Sequence, residues 1–260
     1  MIPICKKIRK DILRISKVSG HGHIPTCFSI VEILYAVYGT MKHDPANPSW
    51  EDRDIFILSK GHAALGHYCV LAKFGYFDIE EVYSFGAFMS DFGCHADRFK
   101  VPGIEASTGS LGHGIGLAVG MALGLKIKKS NRRVFVLIGD GESNEGSVWE
   151  AIMVATNLKL DDLTIIYDNN MSHSKGLQIQ NPSKQFKAFG CEVLEVNGHD
   201  VDSLKEAISK RSNYVKVIVA NTKKGFGCKT LIENQYKWHR KSPSDAQFKM
   251  LMEELDAKTI

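Results

Sequence analysis

Two short apolar runs separated by a helical pattern stand out along the chain. Val134 to Ile138 and Leu163 to Tyr167 are mostly hydrophobic stretches rich in β-branched residues, a pattern typical of strands buried on both faces. Between them, apolar residues recur at helical spacing from Val148 to Leu158. The pattern predicts a strand, a helix and a second, parallel strand in a right-handed βαβ unit.

The same patterns extend through the rest of the chain. Further strands are predicted at 55–58, 192–196 and 215–220, and helices at 4–18, 30–38, 59–74, 80–88, 111–125 and 201–210, with a short helix in the last 20 residues. Ser29 and Glu32 form a predicted capping box for the second helix. The seven glycines between 102 and 124 imply close packing or ligand contact, since a glycine weakens a helix by about 1 kcal/mol. This order predicts an α/β fold with one domain over residues 1–260, a doubly wound parallel sheet flanked by helices.

Composition and charge narrow the class of protein. The 260 residues are 44% hydrophobic and 24% charged, with a net charge of +4, and the basic residues lie in short scattered clusters that favour solvated faces over a nucleic-acid-binding patch. No run of about 18 apolar residues predicts a membrane span, and the charged start MIPICKKIRKDIL is unlike a signal peptide. The six cysteines form no CxxC pair. These features predict a cytoplasmic protein with reduced thiols that binds neither nucleic acid nor membrane.

Each central strand ends in residues suited to holding a metal ion. A GDG sequence at 139–141 follows the first strand, and a DNN sequence at 168–170 follows the second. Open α/β sheets bind ligands at the carboxyl ends of their strands, so Asp140 and Asn170 are expected to lie close together there. One carboxylate and one amide oxygen suit a Mg²⁺ ion that takes its other oxygens from a phosphate-bearing ligand, a backbone carbonyl and water. The alternative to a metal site is an ordinary βαβ unit in which these residues only form the turns at the strand ends.

The segment from Asp140 to Asn170 resembles the thiamine-diphosphate motif. The sequences GDGESNEGSVWEA and LKLDDLTIIYDNN look specifically like those of transketolases, and the resemblance covers nearly the whole chain but only the N-terminal, diphosphate-binding half of a transketolase. It implies the thiamine-diphosphate-binding fold, thiamine diphosphate and Mg²⁺ as cofactors, and Asp140, Asn170 and the carbonyl of Ser172 as metal ligands. The implied cofactor-binding residues are His62, Gly109, Ser110, Leu111, Gly139, Asp140, Gly141, Glu142, Asn170 and His239.

The same resemblance implies a catalytic role for five histidines. His62 lies in SKGHAA, at the start of a predicted helix where an imidazole can donate a hydrogen bond to phosphate, and His239 ends ENQYKWH, which is similar to a family segment at the diphosphate. His23, His95 and His113 match positions near the substrate or over the thiamine. Neutral histidines suit the transfer of a two-carbon ketol unit, because hydroxyl and carbonyl protons move in each step.

The chain departs from the usual family pattern in several places. Pro25-Thr26 replaces a glycine pair, Gly86 stands where arginine is common, and His113 replaces a common glutamine. Asp91 adds an anion to the loop before the third histidine. These differences predict a substrate unlike ordinary sugar phosphates, in a specialised sugar pathway.

The resemblance implies one subunit of a split transketolase that transfers a ketol unit from a ketose or ketose phosphate to an aldose. In the family, a glutamate of the pyrimidine-binding domain activates the thiamine ring, so that domain and the C-terminal domain are expected on a separate partner chain. The cofactor would lie between the two chains, with the glycine-rich helix at 111–125 in the contact face. Because such faces commonly drive symmetric assembly, an α2β2 complex is predicted.

Three other functions stay open. A different thiamine-dependent enzyme, such as the α subunit of a 2-oxo acid dehydrogenase or a decarboxylase, is disfavoured by SKGHAA and ENQYKWH. A non-catalytic module that kept the fold but lost the cofactor is disfavoured by Asp140, Asn170 and His62. A plain nucleotide-binding domain is disfavoured because neither GxGxxG nor GxxxxGK[ST] follows a predicted strand.

Overall fold

Five parallel strands form the central sheet of the computed structural model, which describes residues 1–257. Their spatial order is β1-β2-β3-β5-β4, and every neighbouring pair is parallel. The predicted βαβ unit is confirmed, since β2 and β3 pair in register from Val134 opposite Leu163 to Gly139 opposite Asp168. The strands are β1 (Ile55–Leu58), β2 (Val134–Gly139), β3 (Leu163–Asn169), β4 (Glu192–Asn197) and β5 (Lys216–Asn221).

Helices cover both faces of this sheet. One core lies between the sheet and α1, α2, α3, α4, α8, α9 and α10, and the other lies between the sheet and α5, α6 and α7. The doubly wound parallel sheet predicted from the sequence is therefore confirmed. The helices are α1 (Pro3–Ser19), α2 (Ile24–Ser29), α3 (Val31–Tyr38), α4 (Ala64–Phe74), α5 (Gly114–Ile127), α6 (Gly146–Asn157), α7 (Pro182–Ala188), α8 (Val201–Ser209), α9 (Lys229–Glu233) and α10 (Asp245–Asp256).

Alternate residues of each central strand point into the two cores. Phe135 of β2 and Ile166 of β3 belong to the first core, whereas Val136 and Ile165 belong to the second. Each of these side chains is fully buried. Both faces need apolar residues, which explains why these strands read as continuous hydrophobic runs rather than as alternating patterns.

The predicted capping box at Ser29 and Glu32 is wrong. Ser29 instead ends α2, and its hydroxyl donates to Asp168 Oδ2 at 2.8 Å. Glu32 is completely buried and accepts two hydrogen bonds from Arg9 of α1, at 2.5 and 2.7 Å. Burial alone would raise the pKa of Glu32, but the Arg9 guanidinium holds it at about 2. Both side chains serve tertiary contacts, which outweigh the local capping signal.

Two other helices differ from their predicted forms. The helix at 59–74 begins as a 3-10 turn at Gly61–Ala63 before α4, and the helix at 80–88 is a 3-10 helix at Ile79–Ser84. Asp78 and Glu81 form a capping box at the start of that second turn. Both differences concern short segments, in which a tight 3-10 turn competes well with an α-helix.

The close packing expected of the seven glycines is found at Gly103, Gly109, Gly112 and Gly114, but not at the other three glycines, which all lie in α5. A methyl group added at Gly116, Gly120 or Gly124 would meet nothing within 4 Å. The buried side of α5 is instead formed by Ile115, Ala118, Val119, Ala122 and Leu125. The opposite side, which includes Leu117 at 45% exposure, is an open surface of small and apolar residues.

The structure also bears on two sequence predictions, that the chain has no membrane span and that its cysteines are reduced. Among residues 1–257, no helix combines the length and the apolar character needed to cross a membrane. All six cysteines are free thiols, and five of them are buried. Burial raises the pKa of Cys27 and of Cys191 to about 12, so both stay protonated and unreactive near neutral pH.

Candidate active site

A cleft of about 280 Å³ opens at the carboxyl ends of the strands. Its walls are formed by the turn after β2, the segment after β3 and the loops that carry His23, His62, His95 and His239, at the edge where the sequence predicts a ligand site. The lining residues are His23, Thr26, Lys60, His62, His95, Gly109, Leu111, Gly139, Asp140, Gly141, Glu142, Asn170, Ser172, His173, His239 and Arg240.

Asp168, at the end of β3, lies beneath the cleft and holds cleft-lining residues in place through hydrogen bonds. It is completely buried, and its Oδ2 accepts hydrogen bonds from Lys60 Nζ at 2.5 Å and from Asn170 Nδ2 at 2.7 Å. Its Oδ1 accepts from the Thr222 hydroxyl at 2.5 Å. Burial raises the pKa of Asp168, but the Lys60 ammonium more than offsets this and keeps the carboxylate ionised. Since the amide NH₂ of Asn170 faces Asp168, its amide oxygen faces the other way.

Asp140 and Asn170 hold the oxygens that the metal prediction requires. Asn170 Oδ1 accepts from the backbone N–H of Ser172 at 3.0 Å, and Asp140 Oδ1 and Oδ2 accept from the N–H groups of Gly141 and His173 at 2.8 and 3.1 Å. Asp140 is only 4% exposed, and within residues 1–257 it forms no ion pair. Burial raises its pKa, so a bound cation would offset the cost of the buried charge.

These donors fit Mg²⁺ bound together with a diphosphate. Among the described residues, no group of three or more His, Cys, Asp or Glu side chains could hold a metal ion. The available donors are one carboxylate, one amide oxygen and a backbone carbonyl at Ser172, which leaves positions for phosphate oxygens, as Mg²⁺ usually prefers. Lys60 and Lys224, both buried, add positive charge around this end of the cleft.

Three histidines from distant parts of the sequence meet at the other side of the cleft. The ring centroids of His23 and His62 are 5.4 Å apart, those of His23 and His239 are 5.2 Å apart, and those of His62 and His239 are 6.0 Å apart. Burial lowers the pKa of His23 and of His239 to about 4 and that of His62 to about 2. All three are therefore neutral near pH 7, so each ring can donate one hydrogen bond and accept another.

The backbone holds two of these histidines together. The His23 N–H donates to the His239 carbonyl at 3.1 Å, and His23 adopts a left-handed conformation with φ 66°. Such a conformation is rare for a residue other than glycine and is often found at functional sites. Helix α2 begins directly after this turn with Ile24 and Pro25, and the Thr26 hydroxyl lies 3.3 Å from His62 Nε2.

His95 and Glu142 line the cleft in different ways. His95 is exposed, and its ring lies against Gly109, where an added methyl group would be 3.0 Å from His95 Cδ2. Glu142 is buried and accepts from the Ser59 hydroxyl at 2.5 Å and from the Gly112 N–H at 2.9 Å. The Glu142 carboxylate thus fixes the loop around Gly109 rather than projecting freely into the cleft.

Two of the predicted site residues do not line the cleft. His113 is exposed at the start of α5, with Nδ1 3.1 Å from the Leu111 carbonyl oxygen, and Ser110 is also exposed. The structure brings together His23, His62, His95, Gly109, Leu111, Gly139, Asp140, Gly141, Glu142, Asn170, Ser172 and His239.

Comparison with known proteins assigns this fold and cleft to a family. The family model described as "Transketolase, thiamine diphosphate binding domain" matches residues 4–255. The chain belongs to this family. Thiamine diphosphate with Mg²⁺ is accordingly its cofactor, and the chain is an enzyme subunit of the transketolase family.

Relatives of similar length are named as transketolase subunits. The chain is 39% identical to an apulose-4-phosphate transketolase subunit from Actinobacillus succinogenes, over 96% of this chain and 94% of the relative. It is 36% identical to "6-deoxy-6-sulfo-D-fructose transketolase subunit SqwG" of a Clostridium species, over 96% of this chain and 94% of the relative. The solved transketolase of Campylobacter jejuni matches 98% of this chain with a TM-score of 0.88 at 27% identity, but the match spans only 43% of that longer chain.

The structure explains one departure from the transketolase pattern. Gly86, where arginine is common in the family, has φ +72°, and a methyl group added there would be 2.2 Å from His21 Cδ2. The His21 ring also packs edge-on against Phe85. A long side chain at position 86 would therefore clash unless His21 moved, so the glycine at 86 leaves the space that the His21 ring occupies. His21 is therefore half-buried and packed rather than fully solvated.

Several residues in or beside the cleft were missed by the sequence analysis. Lys60 lies in the SKGHAA motif already noted, and Lys224, just outside the cleft lining, donates to the Ser172 hydroxyl at 2.6 Å. Burial lowers the pKa of Lys224 to about 8. His173 and Arg240 follow predicted site residues directly, and this adjacency was the available signal.

Proposed function

We propose that this chain is the diphosphate-binding subunit of a split transketolase that transfers a two-carbon ketol unit from a ketose or ketose phosphate to an aldose. The observation that carries the proposal is the meeting, in one cleft, of the buried Asp140–Asn170 pair with three neutral histidines. The first feature suits a metal-bound diphosphate and the second suits proton transfer to sugar oxygens. The whole chain would act as one diphosphate-binding domain.

The chain's own residues would bind and orient the cofactor. Asp140, Asn170 and the carbonyl of Ser172 would hold Mg²⁺, and Lys224, at 2.6 Å from the Ser172 hydroxyl, would supply positive charge for the phosphates. When bound, thiamine diphosphate supplies the nucleophilic carbon that carries the two-carbon unit. The loops around the cofactor would be shaped by Gly139, Gly141, Gly109, Ser110, Leu111 and Glu142.

The histidines would handle the substrate. His23, His62 and His239 stay neutral near pH 7, so each can donate one hydrogen bond to a hydroxyl or carbonyl oxygen of the substrate and accept another. His95, exposed at the rim, would contact the sugar hydroxyls. His113, which lies outside the cleft, would reach the thiamine ring only if the complete site extends beyond this cleft onto a second chain.

A separate partner chain would complete the site. The Actinobacillus and Clostridium relatives are both named as subunits, which supports a partner that carries the pyrimidine-binding and C-terminal domains. The open face of α5, with Gly116, Gly120, Gly124 and exposed Leu117, supports a contact surface for that partner. We propose an α2β2 complex, because two copies of each chain would pair symmetrically. A cytoplasmic location is part of this proposal, in keeping with the free thiols.

The substrate would be a sugar with an anionic group. Arg240 lines the cleft beside His239 and would supply positive charge for such a group. The names of the two relatives specify a sugar phosphate and a sulfonated sugar, which are both anionic. Kinetic comparison of phosphorylated, sulfonated and neutral ketose donors would identify the class, and a preference for 2-oxo acids would favour a decarboxylase or dehydrogenase subunit instead.

The metal site is tested by Asp140→Ala. The Mg²⁺-bridged diphosphate would lose its only charged protein ligand, so we expect Mg²⁺-dependent binding of thiamine diphosphate to disappear in calorimetric titrations of the assembled complex. Asp91→Ala, which removes an exposed carboxylate outside the cleft, serves as the control and should bind normally. Unchanged affinity in Asp140→Ala would refute the metal assignment.

A further inference from the structure

His173 places an imidazole against the GDG turn of the cleft. Its backbone N–H donates to Asp140 Oδ2 at 3.1 Å, which fixes the residue beside the proposed metal ligand. A methyl group added at Gly141 would lie 2.5 Å from His173 Nε2 and 2.6 Å from its Cδ2. The ring is half-buried and lines the same cleft as Asp140 and Asn170. The absence of a side chain at Gly141 thus leaves the space that the ring occupies.

Asn144 fixes which nitrogen of this ring carries the proton. The Asn144 amide nitrogen lies 2.9 Å from His173 Nδ1 and 3.3 Å from the Gly141 carbonyl oxygen. A carbonyl oxygen can only accept, so the NH₂ group of Asn144 must be on this side, and it donates to Nδ1 as well. In the neutral ring the proton then lies on Nε2. The side chain is therefore held as an N–H donor with a defined direction.

This donor has no acceptor within the protein. In the part of the chain that the structure describes, residues 1–257, no hydrogen-bond partner for His173 Nε2 is found, whereas Nδ1 is bonded to Asn144. A preorganised donor beside a metal-bound anion binds it at little entropic cost, because the ring need not be reordered.

We propose that His173 is a further diphosphate-binding residue, whose Nε2–H donates to a phosphate oxygen of the bound cofactor. Asn144 is a positioning residue, which acts only by holding the ring in the donor form. This inference rests on the proposed function, because it requires that a diphosphate occupies the cleft next to Asp140. It adds a neutral donor to the charged groups Lys60 and Lys224, from a position that the sequence analysis did not assign to the site.

The test measures binding rather than turnover. The full-length chain, in complex with its partner, is titrated calorimetrically with thiamine diphosphate and separately with inorganic diphosphate, both in the presence of Mg²⁺. His173→Phe keeps a flat ring but removes the N–H, so we expect the Kd for both probes to rise about tenfold or more, the usual effect of losing a hydrogen bond to a charged group. Asn144→Ala should also raise the Kd for both probes, but by a smaller factor. Without Asn144 the neutral ring can carry its proton on either nitrogen, so Nε2 is a donor only part of the time.

Two further variants separate this role from a structural one. His173→Gln retains an N–H donor of similar reach, so it should restore the Kd to within about threefold of the parent protein if the hydrogen bond matters. His43→Phe is the matched control, since His43 lies away from the cleft and bonds to Tyr76 at 3.0 Å. It should leave both Kd values unchanged. Thermal unfolding without ligand checks that each variant is folded at the titration temperature.

The possible outcomes separate this inference from the proposed function. If the parent complex binds both probes and His173→Phe binds them equally well, the role of His173 is refuted and the proposed function stands. Equal weakening in His173→Gln and His173→Phe would also refute the donor role. If the parent complex shows no Mg²⁺-dependent binding of either probe, the proposed function and this inference fall together.

Discussion

Asp168 is buried and does not line the cleft, yet it determines which atom Asn170 can offer to a metal ion. The Asp168 carboxylate accepts only, so the amide of Asn170 must present its NH₂ to Asp168 and its oxygen to Ser172 and the cleft. The first and third residues of the DNN sequence therefore work as a pair. An asparagine at 170 without an aspartate at 168 could rotate by half a turn and present a donor where a metal ligand is required.

A histidine at the rim of the cleft tests the catalytic assignment. His95→Ala should leave the affinity for thiamine diphosphate unchanged, because His95 is exposed and lies beside Gly109 rather than at the metal site. Turnover should fall by about 10²-fold or more, the usual scale for a positioned proton donor. Calorimetry and steady-state kinetics on the same preparation separate the two effects. A parallel loss of cofactor affinity would place His95 in the diphosphate site instead.

At the scale of elements, the buried Lys60–Asp168 pair ties the loop after β1 to the end of β3. The two strands are not neighbours, since β2 lies between them in the sheet. Both side chains are essentially inaccessible, with exposures of 1% and 0%. Removing one partner leaves the other charge buried without compensation, which is far more costly than losing an exposed pair.

Lys60→Met should therefore destabilise the protein by about 3–5 kcal/mol, as measured by chemical denaturation. The exposed pair of Arg211 and Asp162, at 2.6 Å, provides a matched control. Arg211→Met should change the free energy of unfolding by about 1 kcal/mol or less, because solvent screens that pair. Similar small effects in both variants would show that the buried pair does not hold the loop.

Periodicity alone located the central strands and most helices. The runs at β2 and β3 could be assigned as buried strands without ambiguity, because both faces of each strand are apolar. The capping box at Ser29 failed for a different reason: the hydroxyl is needed by Asp168 on a strand far away in sequence. A local motif cannot reveal such a partner, since the contact forms only when the chain has folded.

The site residues that directly follow a strand could be predicted from the sequence, but those on loops far apart in the chain could not. Asp140 and Asn170 follow from the turn positions, but the meeting of His23, His62 and His239 depends on loops that are distant in sequence. The resemblance to transketolases supplied that grouping. His173 was missed because its role depends on Asn144, which lies on the other side of α6 and β3 in the chain.

At the scale of the whole molecule, the neutral histidines make stability depend on pH. The pKa values of His23 and His239 are lowered from 6.5 to about 4, and that of His62 to about 2. Below the unfolded pKa, the unfolded chain binds protons that the folded chain does not, so stability is fully present above about pH 6.5 and is lost as the pH falls towards 4.

The free energy of unfolding should therefore decrease between about pH 7.5 and 5.5, by at most about 1.4 kcal/mol per pH unit for each such histidine. The partial exposure of His23 and His239 reduces the effect. Denaturation curves at several pH values measure the slope, and the double variant His23→Gln/His239→Gln should make it shallower. A slope that is unchanged in the double variant would mean that other groups cause it.

Assembly is the property on which the proposed function depends most. The cleft offers a diphosphate site and proton-transfer groups, but the face of α5 around Gly120 stays open, and His113 lies outside the cleft. Both features point to a second chain that completes the site. The chain is then expected to hold the diphosphate without being able to turn over a sugar.

The most direct test is to purify this chain alone and to assay ketol transfer from a ketose phosphate to an aldose, with thiamine diphosphate and Mg²⁺. The product of an adjacent gene that encodes a transketolase C-terminal half is then added to the same reaction. We expect no turnover from the chain alone and ketol transfer once the second chain is present. Full activity from the chain by itself would contradict the account.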